Sequence, residues 1–473
     1  MKENLRIERC HNTILSTGET RFAFYYVAVS QVNLRYARGI NMSHNTIALE
    51  LLSYIKAATA PYQVVEEGIR TLKEAGFEEV KMKESWKLKA GGAYYIKPYG
   101  TSLFAFTIGE DWKTGQNLRI AAAHTDHPGF RLKPNAEMTA GAYCKLNTEV
   151  YGGPILNTWM DRPLSIAGRV ALKSKDPFHP EMRLIDFKKP LLTIPNLAIH
   201  INREVNKGVE LNKQTDTIPV IATLKESLNK NNFFITYLAK ELEVNTEEIL
   251  DYDLYIYNAE EGSLIGMEED FISCPRLDNL TSVWALLKGI IHGRRREGIN
   301  FIALYDNEEI GSRSKQGADS ALLTIMLEKI YEGLLVDKRT SLYEDVSEGI
   351  LLSVDVAHGV HPNRPEKYDP VNYTKLNGGV VFKIDSNQKY TYDTEAIAVA
   401  QQICQLCEVP YQKFVNRSDM PGGMTLGPMI SSWLPMKTVD LGVPLLGMHS
   451  SRELMGTKDQ EHLEKLIKGF FEL

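Results

Sequence analysis

Leu118-Arg119-Ile120-Ala121-Ala122-Ala123-His124-Thr125-Asp126 is a strand-like apolar run, broken only by Arg119, that stops on an imidazole with a carboxylate two residues on. Three other stretches have the same shape. Phe301–Leu304 runs out into Asp306-Asn307-Glu308-Glu309, Ile350–Val354 into Asp355 with His358 and His361 beyond, and Val439–Leu446 into Met448-His449. In an open parallel α/β sheet, ligands collect in the crevice beyond the carboxyl ends of the strands. Several strand ends carrying only oxygen and nitrogen donors therefore predict one assembled metal site on a mostly parallel sheet flanked by helices.

Moving outward, the pattern N-terminal to His124 predicts amphipathic helices over 48–57 and 64–75, then short strands over 92–96 and 103–108. After Pro134 the texture changes. Residues 135–260 hold many short β-like runs, Gly152-Gly153-Pro154 and one helix near 231–242, and no strand there ends in a ligand cluster. The α/β rhythm resumes at Asp270. This predicts a β-rich domain (135–260) inserted into an α/β domain made of 42–134 and 261–473, a permitted arrangement when the ends of the insert lie close together. Residues 1–41 have little periodicity and stop before a second methionine. They read as an N-terminal extension of uncertain status, with Met42 as the expected biological start.

Composition excludes several classes. A chain of 473 residues exceeds one compact core, and 43% hydrophobic with 24% charged residues is ordinary for a globular enzyme. A net charge of −6 gives no electrostatic reason to expect nucleic acid. The basic run Arg294-Arg295-Arg296 follows a helical pattern and Gly293, where cations complement the helix dipole. Five cysteines imply no disulfide framework, and Cys404 and Cys407 sit in a helical pattern (395–407) that packs them in a core. No apolar run spans a bilayer, and the short apolar stretch 22–29 lacks a cleavage site, so the expected location is the cytoplasm.

Each ligand candidate has its own chemistry. In an extended segment i and i+2 share a face, so Asp126 is placed to accept the far ring proton of His124 and fix its tautomer. Asp278, in Arg276-Leu277-Asp278-Asn279, precedes an apolar helix and alone would read as its cap. Three carboxylates within Asp306–Glu309 repel one another unless cations offset them. The adjacent glutamates point in different directions, so one can bind metal while the other handles a proton on bound water. With Asp355 and His449 added, an aspartate bridging two ions with two terminal ligands on each would make a two-metal hydrolase centre for zinc, manganese or cobalt. The loop Pro421-Gly422-Gly423-Met424-Thr425 lacks the Gly-Lys-Ser/Thr of a phosphate loop, and no Gly-x-Ser-x-Gly elbow is present.

Seven segments together resemble the aspartyl aminopeptidases: AAHTDHPGFRLKP (122–134), NTWMDRPLSIAGRV (157–170), IPNLAIHINREVN (194–206), RLDNLTS (276–282), DNEEIGSRSKQGA (306–318), SVDVAHGVHPNRPEKYDP (353–370) and DLGVPLLGMHSSREL (440–454). The resemblance runs in order from about Thr46 to the terminal KGFFEL. It implies a co-catalytic zinc aminopeptidase, possessing two divalent ions per subunit, that removes N-terminal acidic residues from peptides. In that family pattern Asp278 bridges the ions, His124 and Asp355 complete one site, and Glu309 and His449 complete the other. Glu308 is the general base, and His200 reaches a neighbouring subunit's site to contact the substrate carbonyl. His358, Lys383 and Tyr390 contact substrate, Lys383 being the partner of an acidic first side chain. The resemblance also implies that the insert is a dimerisation and substrate-gating domain and that dimers assemble into a dodecamer. His127 and Gly129 depart from the family pattern. A broad or neutral-residue aminopeptidase with the same centre is the alternative; a non-catalytic assembly protein fits less well with an intact ligand set.

Overall fold

The computed structural model describes residues 44–224, 232–336, 338 and 340–473; the 1–41 extension and the expected start at Met42 lie outside the described residues. Strands are numbered along the chain. The central sheet has nine: β1 (Glu78–Glu79), β2 (Ala93–Tyr99), β3 (Ser102–Ile108), β4 (Leu118–His124), β13 (Ile299–Tyr305), β14 (Ile350–Val354), β16 (Val380–Ile384), β17 (Tyr411–Val415) and β18 (Lys437–Gly442). Their order is β1-β2-β3-β13-β4-β14-β18-β16-β17. The four in the middle, β13-β4-β14-β18, run parallel, so their carboxyl ends open on one edge.

Strand alternation divides these central residues between two layers. Ala121, Ala123, Ile302, Leu304, Leu352 and Val354 pack with the helices Pro61–Glu74, Leu277–His292, Thr394–Leu406 and Thr457–Glu472. Ile120, Ala122, Phe301, Ala303 and Leu351 pack with Leu322–Gly333, Thr340–Glu348 and Leu426–Trp433 on the other face. Burial on both faces explains why these strands read as continuous apolar runs. The α/β class expected from sequence, a mostly parallel sheet flanked by helices, is the observed one.

Residues from Gly129 to Asn258 supply a separate antiparallel sheet. Its strands are β5 (Gly129–Ala140), β6 (Tyr143–Tyr151), β7 (Leu164–Leu172), β8 (Glu181–Asp186), β9 (Val220–Thr223) and β10 (Ile249–Asn258), in the order β8-β7-β10-β5-β6-β9. The helix Phe233–Leu242 covers its core through Phe234 and Leu238. A third, small sheet has the order β11-β12-β20-β19-β15, formed by Ser263–Ile265, Phe271–Cys274, Glu453–Gly456, Pro444–Leu446 and Ala357–His358 respectively.

One sequence expectation is corrected. The run 439–446 is not a single strand: β18 stops at Gly442 and β19 starts at Pro444, in the small sheet. Proline has no N–H for a ladder and is tolerated at the first residue of a strand, which is its place here. A side chain at Gly442 would also meet the Asp355 carbonyl at 1.9 Å. His449 therefore arrives from the third sheet rather than from an end of the central one.

Candidate metal centre

β4 and β14 pair in parallel with Ala122 opposite Ser353, so two residues further on His124 and Asp355 emerge side by side. His124 Nε2 lies 3.5 Å from Asp355 Oδ1 and 3.4 Å from Asp278 Oδ1. Asp278 stands at the mouth of the helix Leu277–His292 with non-helical φ/ψ, after Arg276 in a left-handed conformation. It makes no side-chain cap on that helix. Its N–H donates to Glu453 Oε2 (3.0 Å), and the other oxygen of Glu453 accepts from His449 N (2.9 Å). The buried Glu453 thus sets the backbones of two candidate ligands at once. His449 Nε2 lies 3.4 Å from Asp278 Oδ2 and 3.5 Å from Glu309 Oε2. Glu308 and Glu309 open a single 3-10 turn after β13, entered through left-handed Asn307.

Two triads share Asp278: His124, Asp278 and Asp355, and Asp278, Glu309 and His449. Within each, one donor atom per residue lies within 4.8 Å of the others. The far nitrogens of both imidazoles face backbone carbonyls. His124 Nδ1 is 3.0 Å from the Asp126 carbonyl, and His449 Nδ1 is 3.1 Å from the Gly153 carbonyl. Donation there assigns the Nε2 lone pairs to the carboxylate side, the tautomer a metal ligand needs. Asp278 Oδ1 and Glu309 Oε1 are buried without a hydrogen-bond partner among the described residues. Lone pairs converging on unpartnered carboxylate oxygens fit a divalent cation between them.

The electrostatics agree. Burial alone would lower His124, but Asp126, Asp278 and Asp355 hold it well above its ordinary range. His449 is likewise pulled up to about 10 against burial, by Asp278 and Glu309. Burial, then the neighbouring Asp355, Asp126 and Asp278, pushes Glu308 up to about 8, and burial, then Asp278, holds Glu309 well above the usual carboxylate range. Asp278 runs the other way, held down against burial by the two histidines. A divalent cation would take over the neutralising role of those protons, so metal uptake releases protons.

A cleft of about 430 Å³ opens on this cluster, and His358, Lys383 and Tyr390 line it together with Glu308, Glu309 and Asp355. Lys383 is buried, its ammonium 3.1 Å from both Asp355 Oδ2 and the Val356 carbonyl and 5.3 Å from the Tyr390 ring centre. The Asp126 carboxylate is 3.4 Å from His124 Nδ1, further than its own carbonyl; it accepts instead from the amides of Glu308 (3.2 Å) and Glu309 (3.1 Å).

Other candidates fall outside. Asp306 turns away to Asn307 N and Gln316, and His361 accepts from Asn363 N in a turn. His200 is exposed and does not line the cleft; the β-like reading of its run gives way to a turn closed by Ile201 N and Asn202 N on the Ala198 carbonyl. His127 is buried, and burial and then Arg276 keep it neutral. The sequence reading missed Met424, Met429 and Met448 in the cleft wall, and Glu453 and Tyr151 behind the ligands. Only Glu453 was within reach, four residues beyond His449.

Residues 54–471 match the family model described as "Aminopeptidase I zinc metalloprotease (M18)". A "Probable M18 family aminopeptidase 2" of Clostridium acetobutylicum is 45% identical over 427 residues, 90% of this chain and 98% of that protein. Among solved structures, the cryo-EM structure of the Ape4 and Nbr1 complex matches with a TM-score of 0.86 and 34% identity, covering 90% of this chain and 86% of that one. The mApe1 dodecamer of S. cerevisiae matches with a TM-score of 0.78 and 27% identity, covering 90% and 96%.

Proposed function

The chain belongs to the M18 family of zinc metalloaminopeptidases, and from that premise we propose that it removes N-terminal acidic residues from peptides at the cleft above the two Asp278-sharing triads. His124 and Asp355 would hold one divalent ion, Glu309 and His449 a second, with one oxygen of Asp278 for each. Zinc suits this nitrogen and oxygen donor set, and manganese or cobalt is accommodated. Ions so held supply an acidified water and a polarised carbonyl.

The protein's own groups do the rest. Glu308 belongs to neither Asp278-sharing triad, groups instead with His124 and Glu309, and faces the same cleft, so it suits taking a proton from the attacking water and returning it to the leaving amine. The carboxylates around it would hold the substrate's free ammonium, which confines cleavage to the first residue.

The observation that carries the acidic preference is Lys383. It is the one Lys or Arg among the lining residues, and two of its three protons are engaged by Asp355 and Val356, leaving one for a substrate carboxylate. A neutral-residue reading is favoured by a different observation, the three methionines in the same wall, which adapt to apolar side chains.

His200 stands on a turn beside exposed Leu197, Ile199 and Ile201. An apolar turn of this kind suits an interface between copies of the chain, and the related mApe1 forms a dodecamer. We assign residues 135–260 to dimerisation and substrate gating, with His200 contributing to a neighbour's oxyanion site. No helix among the described residues is long and apolar enough to cross a membrane. A cytoplasmic setting is in keeping with the free thiols of Cys144, Cys274, Cys404 and Cys407.

The test is release of the first residue from peptides beginning with Asp, Glu, Leu, Lys or Ala, with zinc, manganese or cobalt added and again after chelation. Chelator-sensitive release favouring Asp and Glu is expected. Release favouring Leu would discard the role of Lys383, and no release under any metal would overturn the assignment.

A further inference from the structure

β6 belongs to the antiparallel sheet, yet its end reaches the metal centre. Tyr151, its last residue, is buried and donates its hydroxyl to Asp126 Oδ2 at 2.7 Å, while the hydroxyl oxygen of Tyr151 accepts from Asn307 Nδ2 at 3.0 Å. Asp126 in turn receives the amides of Glu308 and Glu309 and lies behind His124. Two residues on, the Gly153 carbonyl accepts from His449 Nδ1. Gly152 between them has φ +68°, and a side chain there would meet Glu309 Cβ at 3.1 Å. One three-residue segment of the second sheet therefore touches the supports of both triads.

We propose that Tyr151 is a positioning residue for the metal centre, acting through the Asp126 carboxylate on the Glu308–Glu309 turn, with Gly153 holding His449 from the same strand end. The inference rests on the metalloaminopeptidase reading. Asp126 has to satisfy two amides of a turn that carries one candidate ligand and the candidate base, and it can do so only in one carboxylate orientation. The Tyr151 hydroxyl fixes that orientation. The ring is itself fixed: it packs edge-on to Tyr255 at 5.7 Å and lies beneath the Arg131 guanidinium, which pairs with Asp253. Groups that orient metal ligands without touching the metal typically change affinity or activity by roughly 10–100-fold.

Zinc affinity by competition with a chromophoric chelator, and the visible spectrum of the cobalt-loaded protein, read this directly. Tyr151→Phe keeps the ring and removes the bond to Asp126; a fall in zinc affinity of roughly 10–100-fold and a shifted cobalt band are expected. Tyr62→Phe is the control, because it breaks a bond of the same kind (Tyr62 to Asp253, 2.5 Å) at the far end of the aromatic cluster. It should leave both readouts as in wild type. Unchanged affinity and spectrum in folded Tyr151→Phe would overturn the inference, as would equal losses in Tyr62→Phe. If Tyr151→Phe does not fold, fluorotyrosine at 151 keeps the ring and the hydroxyl but makes that hydroxyl a stronger donor to Asp126; an unmoved cobalt band then overturns it. Wild-type protein that binds no zinc would sink the metalloaminopeptidase reading as well, which separates the two failures.

Discussion

Lys383 Nζ stands 3.1 Å from one oxygen of Asp355, whose other oxygen lies 3.5 Å from Nε2 of His124. The lysine is therefore tied to a candidate ligand as well as to the cleft. Lys383→Ala should lower kcat/KM for every peptide by roughly 10–100-fold, because Asp355 loses the partner that orients it. Peptides starting with Asp or Glu should lose at least about another tenfold, since a carboxylate recognised by a buried ammonium depends strongly on it. Steady-state assays on matched Asp and Leu peptides check this. Equal losses would leave Lys383 only its tie to Asp355.

Glu308 and Glu309 are neighbours with different geometry, and the difference predicts different failures. Glu308→Gln should cut kcat by at least about two orders of magnitude with metal content retained. Glu309→Gln should lose metal, since Glu309 shares a triad with His449 and Asp278. Metal analysis beside the activity assay distinguishes them, and near wild-type turnover in Glu308→Gln would remove it from the mechanism.

Much of this centre could be read from the sequence because its residues sit at predictable places. His124, Asp355 and the Glu308–Glu309 turn all follow strands buried on both faces, which betray themselves as apolar runs. Asp278 was legible only through family resemblance, because a lone aspartate before a helix reads as a cap. His449 reaches the cluster by a different local route from the one its strand pattern implies, since Pro444 moves its strand into another sheet. Tyr151 and the three methionines had no signal at all: a tyrosine closing a strand and methionines in separate segments look like core until the chain folds.

The converging carboxylates make metal a stabiliser as well as a cofactor. Like charges buried together destabilise the fold unless a cation or protons offset them. Free zinc at about 100 times its Kd should add roughly 2.7 kcal/mol, a rise in Tm that chelation reverses. Calorimetry with and without chelator measures it, and an unchanged Tm would mean that the site does not hold zinc.

The turn bearing His200 carries Ile201 at 74% exposure, next to Leu197 at 61%. Ile201→Glu should weaken self-association, visible as a smaller species by light scattering, and activity should fall with it. His200→Ala should keep the oligomer and its metal while lowering kcat, in the range of about 10²–10³ for a lost oxyanion donor. Full activity in a dissociated Ile201→Glu protein would confine the site to one subunit.

His292 offers a test of the fold that is independent of metal. At the end of the helix Leu277–His292, its imidazole is driven down to about 4, first by burial and then by Lys288, Lys468 and Arg294. The unfolded chain binds that proton below about pH 6.5, while the folded chain refuses it until about 4. The unfolded state therefore gains protons first, and stability present above pH 6.5 is lost as pH falls toward 4. At pH 5 the loss is about 1–2 kcal/mol after allowing for partial exposure. His292→Asn cannot take the proton, so its Tm should match wild type at pH 7.5 and exceed it at pH 5. A Tm gap of the same size at both pH values would show that the substitution acts through packing, and not through the charge.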